Sequence, residues 1–225
     1  MTQLLDPPDI REPDFAHSVR KFKTILADPP WQFMNRTGKV APEHRRLHRY
    51  TTMKVNDICD LPVEQYADET AHLYLWVPNA LLAEGMAVMR AWGFTYKSNL
   101  VWYKVRQDGG PDGRGVGFYF RNVTELILFG TKGSMRTLQP GRRQVNLFYT
   151  RKREHSRKPE ELYDIIEACS PDPRLELFAR HERDGWVSWG DEVPPVDGIT
   201  LLPEELDEQP FEEDEELANA PVAMK

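Results

Sequence analysis

The sequence predicts an α/β fold with one mixed, Rossmann-like sheet covered by helices on both faces, and three observations carry that expectation. Apolar runs at 24–27, 71–77 and 124–130 have the length and composition of buried strands. Helix-like stretches at 80–92 and 160–169 alternate with them, the order that builds a sheet flanked by helices. With 225 residues and 40% apolar content, the chain can bury one sizeable core and only one.

Taken in order, residues 1–14 are acidic and proline-rich, which fits neither a secretory signal nor a transit peptide. The first strand follows, ending at Asp28-Pro29-Pro30-Trp31. From Gln32 to Arg49 the chain is polar, basic and broken by Gly38 and Pro42, so it reads as a long loop hung on the strand end. Residues 54–61 read as a short helix, 62–70 as a turn with another helical piece, and 71–77 as a buried strand. Asn79 is placed to cap the helix 80–92 and Gly93 to end it. Residues 94–104 have strand composition; 107–117, with five glycines and a proline, form a loop. Residues 135–149 read as irregular. Ser156 is a cap candidate for the helix 160–169, and 174–180 is the last strand. The two cysteines lie 110 positions apart without metal-ligand spacing, and no apolar run approaches the ~20 residues that span a bilayer, so the expectation is a reduced, cytoplasmic protein.

The Asp28–Trp31 stretch organises the chemistry. Ligands of open α/β sheets bind at the carboxyl ends of strands. Two prolines restrict the backbone there and remove two N–H donors, so carbonyls sit beside a carboxylate and an indole. That set suits an exocyclic amine on a planar base: two acceptors for its two hydrogens and an aromatic face for stacking. The bland alternative is that Pro-Pro-Trp ends a strand and plugs the core.

A net charge of −7 argues against a polynucleotide partner until it is divided along the chain. Twelve acids and one lysine follow Gly190, leaving 24 acids against 28 bases in residues 1–190. Bases cluster at Arg36, Lys39, Arg45, Arg46 and Arg49, and again between Arg136 and Lys158. Residues 193–225 combine prolines with a dense run of acids, a composition that reads as a disordered or loosely docked tail after a domain spanning 1–192.

Asp-Pro-Pro-Trp after an apolar strand resembles the signature of the adenine-N6 methyltransferases related to the messenger-RNA N6-methyladenosine writer, a family with many prokaryotic and phage members. Further segments resemble the family in its order. They are Asp9-Ile10-Arg11, Tyr50-Thr51-Thr52-Met53, the Gly115-x-Gly117-aromatic stretch with Arg121, Asn122 and Glu125 near the target base, Ser156-Arg157-Lys158-Pro159, and Glu176-Leu-Phe178-Ala-Arg180 with Gly185-Trp-x-x-Trp-Gly190. The last two-part segment is similar to prokaryotic members. The resemblance covers about residues 9–192 and implies a methyltransferase sheet with an antiparallel strand and permuted motif order, the catalytic motif preceding the strand of much of the donor site.

It also implies the reaction, methyl transfer from S-adenosylmethionine to the N6 amine of adenine in DNA, with RNA or a non-catalytic nucleic-acid-binding subunit as alternatives. The site residues it implies are Asp28, Pro29, Pro30 and Trp31 for catalysis. For the methyl donor they are Asp9, Ile10, Asp28, Lys158, Glu176, Phe178, Arg180 and Asp191, where Asp191 replaces the family's usual Asn. For the polynucleotide they are Tyr50, Arg45, Arg46, Arg49, Gly117 and Arg121. A homodimer or a related partner subunit is the implied assembly.

Overall fold

The computed structural model describes residues 20–32, 52–113, 119–151 and 158–201. Seven strands form one sheet in the order β5-β3-β4-β2-β1-β6-β7. In chain order they are β1 (Phe22–Ala27), β2 (Ala67–Val77), β3 (Thr95–Val105), β4 (Thr124–Lys132), β5 (Leu147–Arg151), β6 (Arg174–Leu177) and β7 (Trp186–Trp189). β1 lies parallel to both β2 and β6, and β7 is parallel to β6. β4 is antiparallel to β2 and β3, whereas β5 is parallel to β3. One strand therefore runs against the other six. The expected mixed sheet and permuted order are both present: β1, early in the chain, sits beside β6, late in it.

Strand alternation sends successive side chains to opposite faces, and each face has its own core. Ile25, Ala27, Leu73, Leu75 and Leu128 pack with Ile58 of α1 (Val55–Cys59) and Val88 and Met89 of α2 (Leu82–Ala91). Leu26, Tyr74, Trp76, Trp102 and Ile127 pack with Leu162, Tyr163 and Ile166 of α3 (Glu161–Cys169). Helices thus cover both faces, as the alternation of apolar runs predicted. Gly93 ends α2 at φ +80°, and an added Cβ there would also meet the Glu64 side chain at 2.8 Å.

Several elements differ from the sequence reading. β2 begins at Ala67 rather than 71, because pairing with β1 (Phe22↔Ala67) draws the polar Asp68-Glu69-Thr70 into the strand; the helical piece shrinks to a 3-10 turn, Val63–Tyr66. Asn79 does not cap α2. It lies in a 3-10 turn, Asn79–Leu81, and its amide donates to Thr124 O at 2.9 Å, pinning the start of β4. β5 replaces the end of the irregular segment, and β7 falls in a stretch given no strand. Both are short edge strands, whose single partner leaves no continuous apolar run to detect. The last strand is shorter than expected, ending at Leu177.

The presumed tail also starts later than position 193. Ile199 and Leu201 are buried in the α1/α2-side core, and Tyr66 OH both donates to Thr200 O and accepts from Thr200 N, each at 2.8 Å. Residues 193–201 belong to the folded body. Among the described residues no helix is long and apolar enough to cross a membrane.

Candidate active site

β1 ends at Ala27, so Asp28 stands at the carboxyl lip of a strand with parallel neighbours on both sides. The next three residues are fastened by backbone hydrogen bonds. Trp31 N donates to Pro29 O at 2.8 Å, Met53 N donates to Pro30 O at 2.8 Å, and Gln32 N donates to Met53 O at 3.1 Å. Pro29 O and Pro30 O thus each accept one backbone bond, and each carbonyl keeps a second lone pair for another donor. Met53, at the far end of the basic segment that follows Gln32, is thereby held against the lip.

Trp31 corrects the stacking expectation. Only 6% of it is exposed, it packs in the α1/α2-side core, and its indole N–H donates to Trp76 O at 2.9 Å. The core-plug alternative accounts for this residue: in this conformation its face is not open to a base.

Around Asp28 the sheet builds a line of alternating charges. Lys158 Nζ lies 3.3 Å from Asp28 Oδ1 and 3.0 Å from Glu125 Oε2, and the other Glu125 oxygen pairs with Lys104 Nζ. Both lysines rest on indoles: Lys158 4.3 Å above the Trp76 ring and Lys104 4.8 Å above Trp102, the two rings meeting edge-on. Such cation–π contacts, with the stems buried along aromatic faces, hold the ammonium groups in place. Lys158 precedes α3 by three residues, where a cation opposes the helix dipole; the two carboxylates facing it explain its position.

The electrostatics follow from that line. Burial pushes the Asp28 carboxyl above its ordinary value, opposed by Lys158 and reinforced by Glu125. Burial acts on Glu125 in the same direction, but Lys158 and Lys104 overcome it and hold this carboxyl down at about 2. Lys158 is raised: desolvation works against its charge, and Asp28 and Glu125 outweigh it.

On the other side of β1, Glu176 of β6 faces the α3 side and accepts from Tyr163 OH at 2.8 Å. Its second oxygen, Oε2, is buried without a hydrogen-bond partner among the described residues, and burial raises the group to about 7 despite the Tyr163 contact. Phe178 follows at φ +65°, left-handed for a residue with a side chain, and meets Trp189 edge-on at 5.7 Å. Strain of this kind, of order 1–3 kcal/mol, persists where surrounding structure imposes it. Here Ala179 N donates to Trp189 O at 2.9 Å, and a Cβ on Gly190 would lie 2.2 Å from Ala179 O, so only glycine fits. Arg180 reaches Glu192 at 3.8 Å, and Asp191 is exposed beside that pair.

The structure therefore brings Asp28, Pro29 and Lys158 together, with Glu176, Phe178 and Arg180 on the adjoining strand end. Arg121 stands apart on the approach to β4, donating to Gly113 O at 3.0 Å. Asp9, Ile10, Arg45, Arg46, Arg49, Tyr50, Gly117 and Ser156 lie outside the described residues. Sequence reasoning missed Lys104, Trp76 and Tyr163 as site residues, and it placed Glu125 only in the segment that resembles the family near the target base, without a role. A carboxylate opening an otherwise apolar strand, Thr124-Glu125-Leu-Ile-Leu, was the available signal for Glu125.

Comparison with known proteins places this lip in a family. A family model, MT-A70, matches residues 22–192. The chain belongs to the MT-A70 family, a family of N6-adenine methyltransferases. Among MT-A70 relatives it is 28% identical over 191 residues to the type II methyltransferase M.MunI of a Mycoplasma species, covering 78% of this chain and 79% of that protein. It is 31% identical over 190 residues to the N(6)-adenosine-methyltransferase MT-A70-like protein of Drosophila melanogaster, covering 83% of this chain and 29% of the other. With the human N(6)-adenosine-methyltransferase catalytic subunit METTL3, identity is 29% over 198 residues, covering 86% and 31%. The chain thus spans about four-fifths of the Mycoplasma relative and less than a third of the two animal ones.

Proposed function

We propose that this MT-A70 chain transfers a methyl group from S-adenosylmethionine to the N6 amine of adenine in DNA. The observation that carries the reading is Asp28 at the lip of β1, ion-paired to Lys158 and followed by a Pro29 carbonyl with a lone pair to spare. The adenine amine is a poor nucleophile because its lone pair is delocalised into the ring. Asp28 and Pro29 O, accepting its two N–H groups, localise that pair and aim it. S-adenosylmethionine supplies an electrophilic methyl carbon on a sulfonium. In the transfer the amine nitrogen would bond to the methyl carbon as the carbon–sulfonium bond breaks and the rest of the donor leaves as a neutral thioether, and the Asp28 carboxylate, whose carboxyl burial raises, would be the adjacent acceptor for the proton the amine sheds.

The residues beside β1 fit such a donor. Glu176 Oε2 is a buried acceptor without a partner among the described residues, suited to a hydroxyl, and Lys158 and Arg180 offer cations for a carboxylate. Asp191 and, outside the described residues, Asp9 and Ile10 complete the proposed donor set; Arg45, Arg46, Arg49, Tyr50, Gly117 and Arg121 complete the polynucleotide set.

DNA is favoured by the prokaryotic character of the Gly115 and Glu176 segments and by the fuller overlap with the Mycoplasma relative. The N(6)-adenosine names of the animal relatives favour RNA as the second reading. Tritiated methyl transfer to matched DNA and RNA oligonucleotides, with and without adenine, decides: incorporation only into adenine-containing DNA is expected, and incorporation only into RNA transfers the assignment to the second reading. No incorporation into either, by protein that binds the donor, removes the function.

A further inference from the structure

The helix that follows Lys158 is fastened at its far end by side chains that the reaction chemistry does not use. α3 spans nine residues, about 13 Å, and runs down the sheet from the lip. Beside it β1 covers the same length between Thr24 and Asp28, four residues at about 3.3 Å each. The foot of α3 therefore lies by Thr24 and its β2 partner His72, while the head lies by Asp28. Thr24 Oγ1 donates to Pro171 O at 2.7 Å, just past the helix, and Arg174 of β6 donates to Ser170 O at 3.2 Å.

Ser170 is the centre of that attachment, and it is buried together with His72 and Tyr74. Its Oγ lies 2.8 Å from His72 Nδ1 and 2.7 Å from the Tyr74 hydroxyl, and His72 Nε2 reaches Met135 O at 3.4 Å. A carbonyl can only accept, so Nε2 carries the proton, Nδ1 accepts from the Ser170 hydroxyl, and Ser170 Oγ accepts from Tyr74. One direction of donation thus satisfies all three side chains. Phe129 of β4 meets the imidazole edge-on at 5.0 Å, and burial lowers the His72 pKa, which keeps the neutral form that completes the chain. Arg174 at Ser170 O and the Cys169 thiol beside Tyr74 are the other ionisable groups at this foot. Apolar packing alone tolerates sliding; here a slip of α3 along β2 would strip buried polar groups of their partners, so the chain admits one register.

Resting on the adenine-methyltransferase reading for its consequence, we propose that Tyr74, Ser170 and His72 are positioning residues for the reaction: their hydrogen-bonded chain pins the foot of α3 to β2 and so sets where Lys158, at its head, meets Asp28. Tyr74 and Trp76 lie on one face of β2, so the strand that holds the foot also carries the indole on which Lys158 rests. Foot and head share one ruler, and an error at the first is carried to the second.

The test reads Asp28 directly, by carbon-13 NMR of its carboxyl in the full chain labelled at aspartate and assigned with Asp28→Asn. Asp28 is faced by Lys158, Glu125, Arg180 and Glu176, and of these Lys158 is the one attached to α3. Ser170→Ala, which removes both bonds of the hydroxyl, should move the Asp28 titration to higher pH, the direction of Lys158→Met, and lower turnover roughly tenfold or more. Tyr74→Phe removes one bond and should do the same to a smaller extent. In a Lys158→Met background neither variant should move Asp28 further. His72→Asn keeps an acceptor near the place of Nδ1, so it should lower the melting temperature and leave Asp28 where it is. An unmoved Asp28 in both Ser170→Ala and Tyr74→Phe, or equal shifts with and without Lys158, overturns the proposal and reduces the chain to core packing. Tyr74→Phe keeps the ring and the core volume, so it gives the answer even where Ser170→Ala fails to fold. Tritiated methyl transfer by the same samples separates the two readings: a shifted Asp28 in a protein whose wild type transfers nothing leaves the anchor and removes the reaction, and transfer with an unmoved Asp28 does the reverse.

Discussion

The two sides of β1 solve different problems. On the β6–β7 side the chain is drawn tight: a left-handed Phe178, a glycine at 190 that fits only because it lacks a Cβ, and a buried carboxylate at Glu176. On the β4–β3–β5 side it is open, with Tyr119, Phe120 and Tyr149 in solvent and Glu125 held between two lysines. A small donor needs a closed pocket of fixed polar groups, whereas a polymer needs a surface it can cross. Asp28 sits at the seam, with Lys158 bridging it to the open side through Glu125.

Asp28→Asn tests the seam itself and should have the largest effect. The amide keeps one acceptor, adds an unwanted donor and removes the proton acceptor, so turnover should fall by at least about 10²–10³-fold. Donor binding should stay within a few-fold. Near-normal turnover in a single-turnover assay would detach the chemistry from this lip.

Next come the charges that reach the seam from the open side. Asp28 is faced by Lys158 before α3, Glu125 on β4, Arg180 after β6 and Glu176 on β6. Glu125→Gln removes an anion that raises Asp28, so the acid limb of the pH–rate profile should move to lower pH. Lys158→Met removes the opposing cation and should move it to higher pH, with a loss of roughly 10–100-fold in turnover. Shifts in the same direction would show that the two residues do not tune Asp28.

The closed side has its own pH signature. Glu176 is raised to about 7 from an ordinary 4.5, chiefly by burial, so between those values the folded protein binds a proton that the unfolded chain has released. Stability should therefore decline as pH rises from about 4.5 to 7, by at most ~3 kcal/mol. Glu176→Gln should flatten that dependence and stabilise the protein at pH 8, while weakening donor binding if Oε2 holds a hydroxyl. Urea titrations at pH 5 and 8 read the first effect and calorimetry the second; a variant with an unaltered pH slope would mean that Glu176 ionises without cost.

A smaller effect concerns what completes the body. Truncation after Leu201 should leave the melting temperature within a few degrees of the full chain. Truncation after Val193, which discards Ile199, Leu201 and the Tyr66–Thr200 hydrogen bonds, should cost about 2–5 kcal/mol. Equal melting of the two truncations would show the docked segment to be dispensable.

Legibility in the sequence did not follow that division. On the closed side Asp28-Pro29-Pro30 at a lip was readable from its residues, Glu176 and Gly190 were picked out by their resemblance to the family, and β7 and Tyr163 were not read. On the open side β3 and β4 were read as strands and β5 was not. β5 has no apolar run because its outward residues, Leu147 and Tyr149, face solvent, and Asn79 read as a helix cap because its true partner, Thr124, lies 45 residues away. Trp31 misled for a related reason: an indole next to a carboxylate looks like a stacking platform until the neighbouring strand supplies Trp76 O. Glu125 and Lys104 gain meaning only from the pairing of β3 with β4, which no local pattern encodes.

The smallest expected effect belongs to Asp191→Asn, and it asks whether the closed side uses charge or shape at its rim. Asp191 is exposed beside the Arg180–Glu192 pair. The amide keeps an acceptor oxygen in the same place and adds a donor, and exposed substitutions of this kind stay within about ±0.5 kcal/mol of stability. If the position serves a hydroxyl through that oxygen, donor affinity should change by no more than a few-fold. The Asn usual in the family is then an equivalent solution. If the carboxylate instead contributes through its charge, affinity should fall by tenfold or more at low salt, and the difference should shrink as salt is raised. Calorimetry at two ionic strengths separates the cases: a large, salt-sensitive loss would mean that the closed side, like the open one, works through charge at its rim.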